Sequence, residues 1–181
     1  MEEMLTMLRT TADRTSDLVK SVRDDELALA TPCREYDVKA LINHLEWAAS
    51  QFESVSGDGE FLPPKEYTGD FPDRVERMMA AWERPESWVG TSKAMGGMPK
   101  PLLAHMALTD LAAHGWDLSR ALGRPYAVEE TTAATLLDFA ARMAPTGRQR
   151  GAFGEEVKVA DDAPAFDRFL GLIGRDPAWK P

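Results

Sequence analysis

Apolar residues recur every three or four positions along most of this chain, a period that buries one continuous face only when the segment is helical. Met4, Leu5, Leu8 and Ala12, then Leu18, Val19 and Val22, place a first helix over about residues 2–23. The linker Ala30-Thr31-Pro32-Cys33-Arg34-Glu35-Tyr36 breaks it. Asp37 then suits the N-cap of a second helix to about Ser54, with Val38, Leu41, Leu45, Ala48 and Phe52 in one stripe. Gly57-Asp58-Gly59 and Pro63-Pro64 predict a long loop. Pro72 opens a third helix that runs to about Arg84, before Pro85.

The stretch from Trp88 to Lys100, with Gly96-Gly97 and Pro99, reads as irregular or briefly extended. A fourth helix follows from about Pro101 to Leu122, with Gly123 as the left-handed residue that closes it. A fifth spans about Val128 to Met143 and is ended by Pro145. Val157 to Val159 suggests a short strand, and Ala163 to Ile173 a last short helix. The expected architecture is all-α: an antiparallel four-helix bundle with short irregular or extended insertions, forming one domain over residues 1–181. Such bundles build their sites from inward side chains on facing helices.

Composition narrows the function. A chain of 181 residues with 44% hydrophobic content buries a core without disulfides, and the lone Cys33 rules out both an internal disulfide and CxxC zinc or redox chemistry. A formal net charge of −9 argues against nucleic acid or acidic membrane as a partner, since both require gathered Lys and Arg. No stretch approaches the roughly 20 apolar residues of a membrane span, and the Met1-Glu2-Glu3 start lacks the basic and apolar regions of a signal peptide, so a cytoplasmic location is expected.

The chain holds three histidines, and one lies four residues after an acid in Thr109-Asp110-Leu111-Ala112-Ala113-His114-Gly115-Trp116-Asp117. On a helix this spacing turns both side chains to one face, about 40° apart. Leu103 and Ala121 fall at about 20° and Ala107 at about 60° from Asp110, so the pair sits on the apolar face; Asp117 joins it near 340°. Unpaired carboxylates there would cost several kcal/mol, so a partner is expected. His44 lies about 60° from Leu41, on the border of the apolar stripe of the second helix, and can complete a set of two imidazoles and one carboxylate. His105 lies about 180° around the helix from His114 and is excluded.

Taken singly, each feature has a plain structural reading. An Asp/His pair at i, i+4 suits a surface salt bridge as well as a metal. Asp117 suits a backbone amide or an arginine, and Cys33 a small core residue. The Trp and Met positions suit core filling. Residues lining a substrate pocket are expected in the loops around Phe61 to Phe71 and Met95 to Pro99.

Three motifs carry a family resemblance. Thr31-Pro32-Cys33-Arg34-Glu35-Tyr36-Asp37-Val38 through Asn43-His44-Leu45 resembles the TPC…NHL signature of actinobacterial proteins related to the metal-binding N-terminal domain of mycothiol-dependent maleylpyruvate isomerase, within the DinB-like superfamily. Asp110 through Gly123, with His-Gly-Trp-Asp-Leu and Ala-Leu-Gly, resembles its HGWDL helix, and Gly174 to Trp179 its terminal GRxPxW. The resemblance implies a DinB-like bundle whose central divalent metal is held by His44, Asp110 and His114; Asp117, on the same face, suits the orienting of a ligand imidazole that metal sites usually have.

Two imidazoles and one carboxylate leave open positions on the ion, the arrangement of a catalytic and not a closed structural centre. Zinc suits these donors first, with nickel, iron and manganese as the other candidates. The implied chemistry is activation of a low-molecular-weight thiol, mycothiol as co-substrate, for transfer to or isomerisation of an electrophilic small molecule. A metal-dependent hydrolase and a non-catalytic protein with a structural ion are the alternatives, and a homodimer through an apolar face is compatible with each. Three departures bear on the pocket: Asp110 where the isomerase has Glu, Arg34-Glu35 after the cysteine in place of Pro-Gly, and Tyr36 where Trp is usual.

Overall fold

A computed structural model describes residues 1–57, 59–63 and 70–181 of the chain. Asp58 and Pro64 of the expected long loop, and residues 64–69 of the expected pocket loop, lie outside the described residues. Six helices account for most of the rest: α1 (Glu2–Lys20), α2 (Val38–Ser56), α3 (Phe71–Trp82), α4 (Lys100–Ala121), α5 (Glu130–Gln149) and α6 (Ala165–Leu172). Two short strands, β1 (Thr91–Ser92) and β2 (Met98–Pro99), pair antiparallel in the segment between α3 and α4, as the glycine-rich sequence there suggests.

The helix limits follow from local chemistry. The Asp37 carboxylate accepts from the Ala40 amide at 2.8 Å, so the expected cap of α2 is present. Gly123 adopts φ +62 directly after α4, a conformation that costs other residues energy. Helix α3 stops two residues short of expectation because Arg84 precedes Pro85 and is extended, at φ −76 and ψ 129; Pro85–Trp88 then forms a 3₁₀ turn.

Two expectations fail. Helix α5 does not end at Pro145 but runs through it to Gln149. The proline removes the bond to the Ala141 carbonyl, yet Ala141 and Pro145 are both exposed, which keeps that loss small. Contacts from outside the helix hold the turn beyond it. Arg148 Nη1 donates to the Leu172 carbonyl at 2.9 Å, and Gly147 lies so close to the Phe153 ring that a Cβ would fall 2.3 Å from it. The second failure is the strand at Val157 to Val159, which is irregular. Its neighbour is α6, not another strand: the Val157 amide donates to the Gly171 carbonyl at 3.0 Å, and one such bond to a helix cannot make a ladder.

Helices α1, α3, α2 and α4 form a closed ring in which each packs on two others, and α5 and α6 pack together against it. Trp82, Phe71, Leu8, Leu45, Met78, Met79, Leu103 and Leu108 fill the ring. Each such side chain contributes about 1.5–3 kcal/mol by burial. Where α1 crosses α4 the helices approach closely at Gly115; a Cβ there would lie 2.6 Å from Thr15 Oγ1 and 2.5 Å from the Tyr126 hydroxyl. No helix among the described residues is long and apolar enough to cross a membrane.

Candidate metal centre

The ring of helices turns three donors toward one point. On α4, Asp110 and His114 stand one turn apart on the face that also carries the buried Leu103, Ala107 and Ala121, as the helical period requires. On α2, Val38, Leu41 and Leu45 anchor the stripe at 0% exposure, and His44 on its border reaches across to α4. His44 Nε2 lies 3.4 Å from Asp110 Oδ1, His114 Nε2 lies 3.7 Å from the same oxygen, and the two imidazole rings are 4.7 Å apart at their centres. Donor atoms from the three residues all lie within 4.8 Å of one another. His105 points elsewhere: its Nδ1 is 2.8 Å from the Pro101 carbonyl and its ring stacks on Phe139.

The proton positions in this cluster follow from its hydrogen bonds. Asp117 is fully buried, and its Oδ2 lies 3.0 Å from His114 Nδ1. A carboxylate only accepts, so Nδ1 carries a proton toward Asp117, and Nε2 is the ring atom turned toward Asp110 and His44. His44 Nδ1 lies 3.3 Å from the Tyr36 hydroxyl, which can donate or accept and therefore tolerates either tautomer of that ring.

Burial pulls the His44 pKa down, but the hydrogen bond to Asp110 and its charge outweigh burial and leave it above the usual value. Burial pushes Asp110 up; the hydrogen bond and charge of His44, with the charges of His114 and Arg175, reverse this and hold it below the usual carboxylate range. Oδ2 of Asp110 is buried with no hydrogen-bond partner among the described residues. An acceptor in that position carries an uncompensated desolvation cost that a cation removes.

Two contributors went unassigned in the sequence. Arg175 reaches back from beyond α6, donating from Nη2 to Asp117 Oδ2 at 3.1 Å and from Nε to Oδ1 at 3.5 Å. It supplies the partner that Asp117 needs, and its only sequence signal was its place in the terminal GRxPxW motif. Cys33 brings its sulfur within 4.8 Å of donor atoms of His114 and Asp117. Burial raises its pKa despite the opposing charge of Arg175, which keeps the thiol protonated. Both oxygens of Asp117 are already engaged by Arg175 and His114, whereas Asp110 Oδ2 has no hydrogen-bond partner among the described residues.

Aromatic rings flank the cluster on one side, where Tyr36 stacks on His44 with ring centres 5.1 Å apart and Trp47 lies beyond at 5.6 Å from His44. On another side a cavity of about 180 Å³ reaches Asp110 and His114. Its wall departs from the loop-borne pocket expected above: α4 and α5 supply most of it, with Met98 as the contribution of the Met95 to Pro99 stretch. Extension of α5 past Pro145 is what places Thr146, Gly147 and Arg150 on that wall.

Comparison with known proteins agrees with this architecture. A family model described as the mycothiol maleylpyruvate isomerase N-terminal domain matches residues 8–119. Two relatives from Mycobacterium tuberculosis, the uncharacterized proteins MT0763 and Rv0738, are each 28% identical over 177 residues, covering 90% of this chain and 92% of theirs. Among solved structures, a histidine-to-alanine mutant of the mycothiol-dependent maleylpyruvate isomerase superposes with a TM-score of 0.61 at 17% identity, over 90% of this chain and 77% of that one. The shared fold is an all-α, DinB-like bundle.

Proposed function

Because the chain belongs to the mycothiol maleylpyruvate isomerase N-terminal domain family, we propose that it binds one divalent metal ion through His44, Asp110 and His114 and activates a low-molecular-weight thiol of the mycothiol type for transfer or isomerisation. The observation that carries this reading is the convergence of three donor side chains around a buried Asp110 oxygen that has no partner among the described residues. Two neutral imidazoles and a carboxylate match the donor preferences of zinc, and of nickel, iron or manganese after it. When bound, the ion supplies a Lewis-acid centre next to which a thiol, ordinarily of pKa about 8.5, is held as thiolate at neutral pH.

The chain's own residues do the rest. Asp117, fixed by Arg175, keeps the proton on Nδ1 of His114 and the Nε2 lone pair aimed at the centre. Tyr36 meets Nδ1 of His44 with its hydroxyl and stacks on the ring to hold its plane. His44 and Asp110 side chains are 18% and 22% exposed, so one side of the cluster stays open to a small molecule. That opening favours a reactive centre over an ion that serves only to brace the bundle. The whole apparatus is assigned to one domain.

Elemental analysis of the purified protein, repeated on His44→Ala and His114→Ala, tests the site. Near-stoichiometric metal in the wild type and its loss from both variants is the expected result, and metal retained in both variants refutes it. Consumption of an electrophile that requires mycothiol or a surrogate thiol and stops on chelation tests the reaction. Turnover without thiol would instead support the hydrolase reading.

A further inference from the structure

We infer that the cavity beside Asp110 and His114 is a subsite for an uncharged aromatic or branched-aliphatic group bearing one hydrogen-bonding substituent, and that it seats the body of the electrophilic substrate. This rests on the thiol-transfer reading above. Its size is the first argument. At about 180 Å³ the cavity slightly exceeds an engineered apolar cavity of about 150 Å³ that holds benzene, so it fits a six-membered ring with one or two substituent atoms.

The lining is the second argument. Phe52 of α2, Met106 and Ala113 of α4, Phe139 and Met143 of α5 and Ile173 after α6 make a largely apolar wall. The methionines can shift to follow a ligand's outline. Phe139 is held in place by the His105 ring stacked on it, at 5.5 Å between centres.

Polarity is the third. Thr109 also lines the cavity; it is 5% exposed, and its hydroxyl has no hydrogen-bond partner among the described residues. One ligand hydroxyl or carbonyl satisfies it. Two arginines reach the cavity, but Arg175 is neutralised by Asp117 and Arg150 is exposed, where water screens it. A dicarboxylate would therefore bring charge that nothing buried there is free to meet, and would face Asp110.

Ligand-observed NMR titration with benzyl alcohol, toluene and maleate tests the assignment, on the protein as purified and after chelation. Saturable binding of benzyl alcohol is expected in both forms, with maleate at least about tenfold weaker. Thr109→Val, which keeps the shape and removes the hydroxyl, should weaken benzyl alcohol about fivefold and leave toluene unchanged. Ala113→Leu fills the cavity and should abolish binding of both aromatics. Met143→Trp fills it from the half-buried rim and gives the same test if Ala113→Leu does not fold. The subsite is refuted if the folded wild type fails to bind benzyl alcohol, if maleate binds as well, or if binding survives the filling variants or is unaltered by Thr109→Val. Protein that retains metal but not benzyl alcohol loses this inference alone. Protein that binds benzyl alcohol but holds no metal loses the metal reading and, with it, the cavity's substrate role.

Discussion

The buried Asp117–Arg175 pair offers the sharpest test of the energetics around the cluster. Asp117 has 0% exposure and receives three contacts: two from Arg175 at 3.1 and 3.5 Å and one from His114 at 3.0 Å. Arg175→Met keeps much of the side chain's length and removes the cation, leaving the carboxylate with a single donor. Loss of one partner from a buried pair costs about 3–5 kcal/mol, because the remaining charge keeps its desolvation penalty.

A chain of this size shifts by about 2–4 °C in Tm per kcal/mol, giving a fall of roughly 6–20 °C. Urea unfolding of metal-free wild type, Asp117→Asn, Arg175→Met and the double variant closes a mutant cycle. The double variant should be no less stable than Arg175→Met alone, with a coupling of about 2–3 kcal/mol. A cost below about 1 kcal/mol for Arg175→Met, or strictly additive effects, would refute the argument.

Three further outcomes are expected. His44 has a raised folded pKa, so its stabilisation is complete below its ordinary value of 6.5 and is lost as pH rises through the folded value; that of Asp110, whose pKa is lowered, is complete above its ordinary 3.8 and lost as pH falls through the folded value. In metal-free protein the stability gap between wild type and His44→Gln should therefore shrink as pH climbs from about 6 to about 9, as read by urea unfolding; a gap that widens would contradict the sign. Gly115→Ala should lose about 1–3 kcal/mol by thermal unfolding, since its methyl group has nowhere to go between Thr15 and Tyr126. Asp117→Asn should weaken metal binding about 10–100-fold in competition with a chelating dye, and unchanged affinity would show that the His114 tautomer does not depend on it.

The parts of the site legible in the sequence were those governed by the helical period. Asp110 and His114 share a face because four residues make about one turn, and His105 is turned away for the same reason. His44 was placed on its border by the stripe from Val38 to Ala48, but that it meets α4 depends on how two helices pack, which periodicity does not encode; the motif resemblance suggested that meeting. Arg175 could not be found this way. Its pairing with Asp117 joins residues 58 apart, and only the need for some partner to a buried acid was predictable. Pro145 misled because the rule against proline inside a helix weighs one lost bond and ignores the tertiary contacts of Arg148 and Gly147 that hold the next turn. Val157 to Val159 misled because β-branched residues favour a strand only where another strand is there to pair.

The reach of Arg175 back to α4 also sets an order in time. The Asp117 carboxylate is synthesised 58 residues ahead of its cation, which at translation rates of about 5–20 residues per second is a delay of roughly 3–12 s. Throughout that interval the nascent helix carries an acid that water must solvate, and the bundle cannot close dry around it. Until Arg175 is made, His114 is the partner Asp117 has among these contacts, so the carboxylate's second partner comes only with the segment beyond α6.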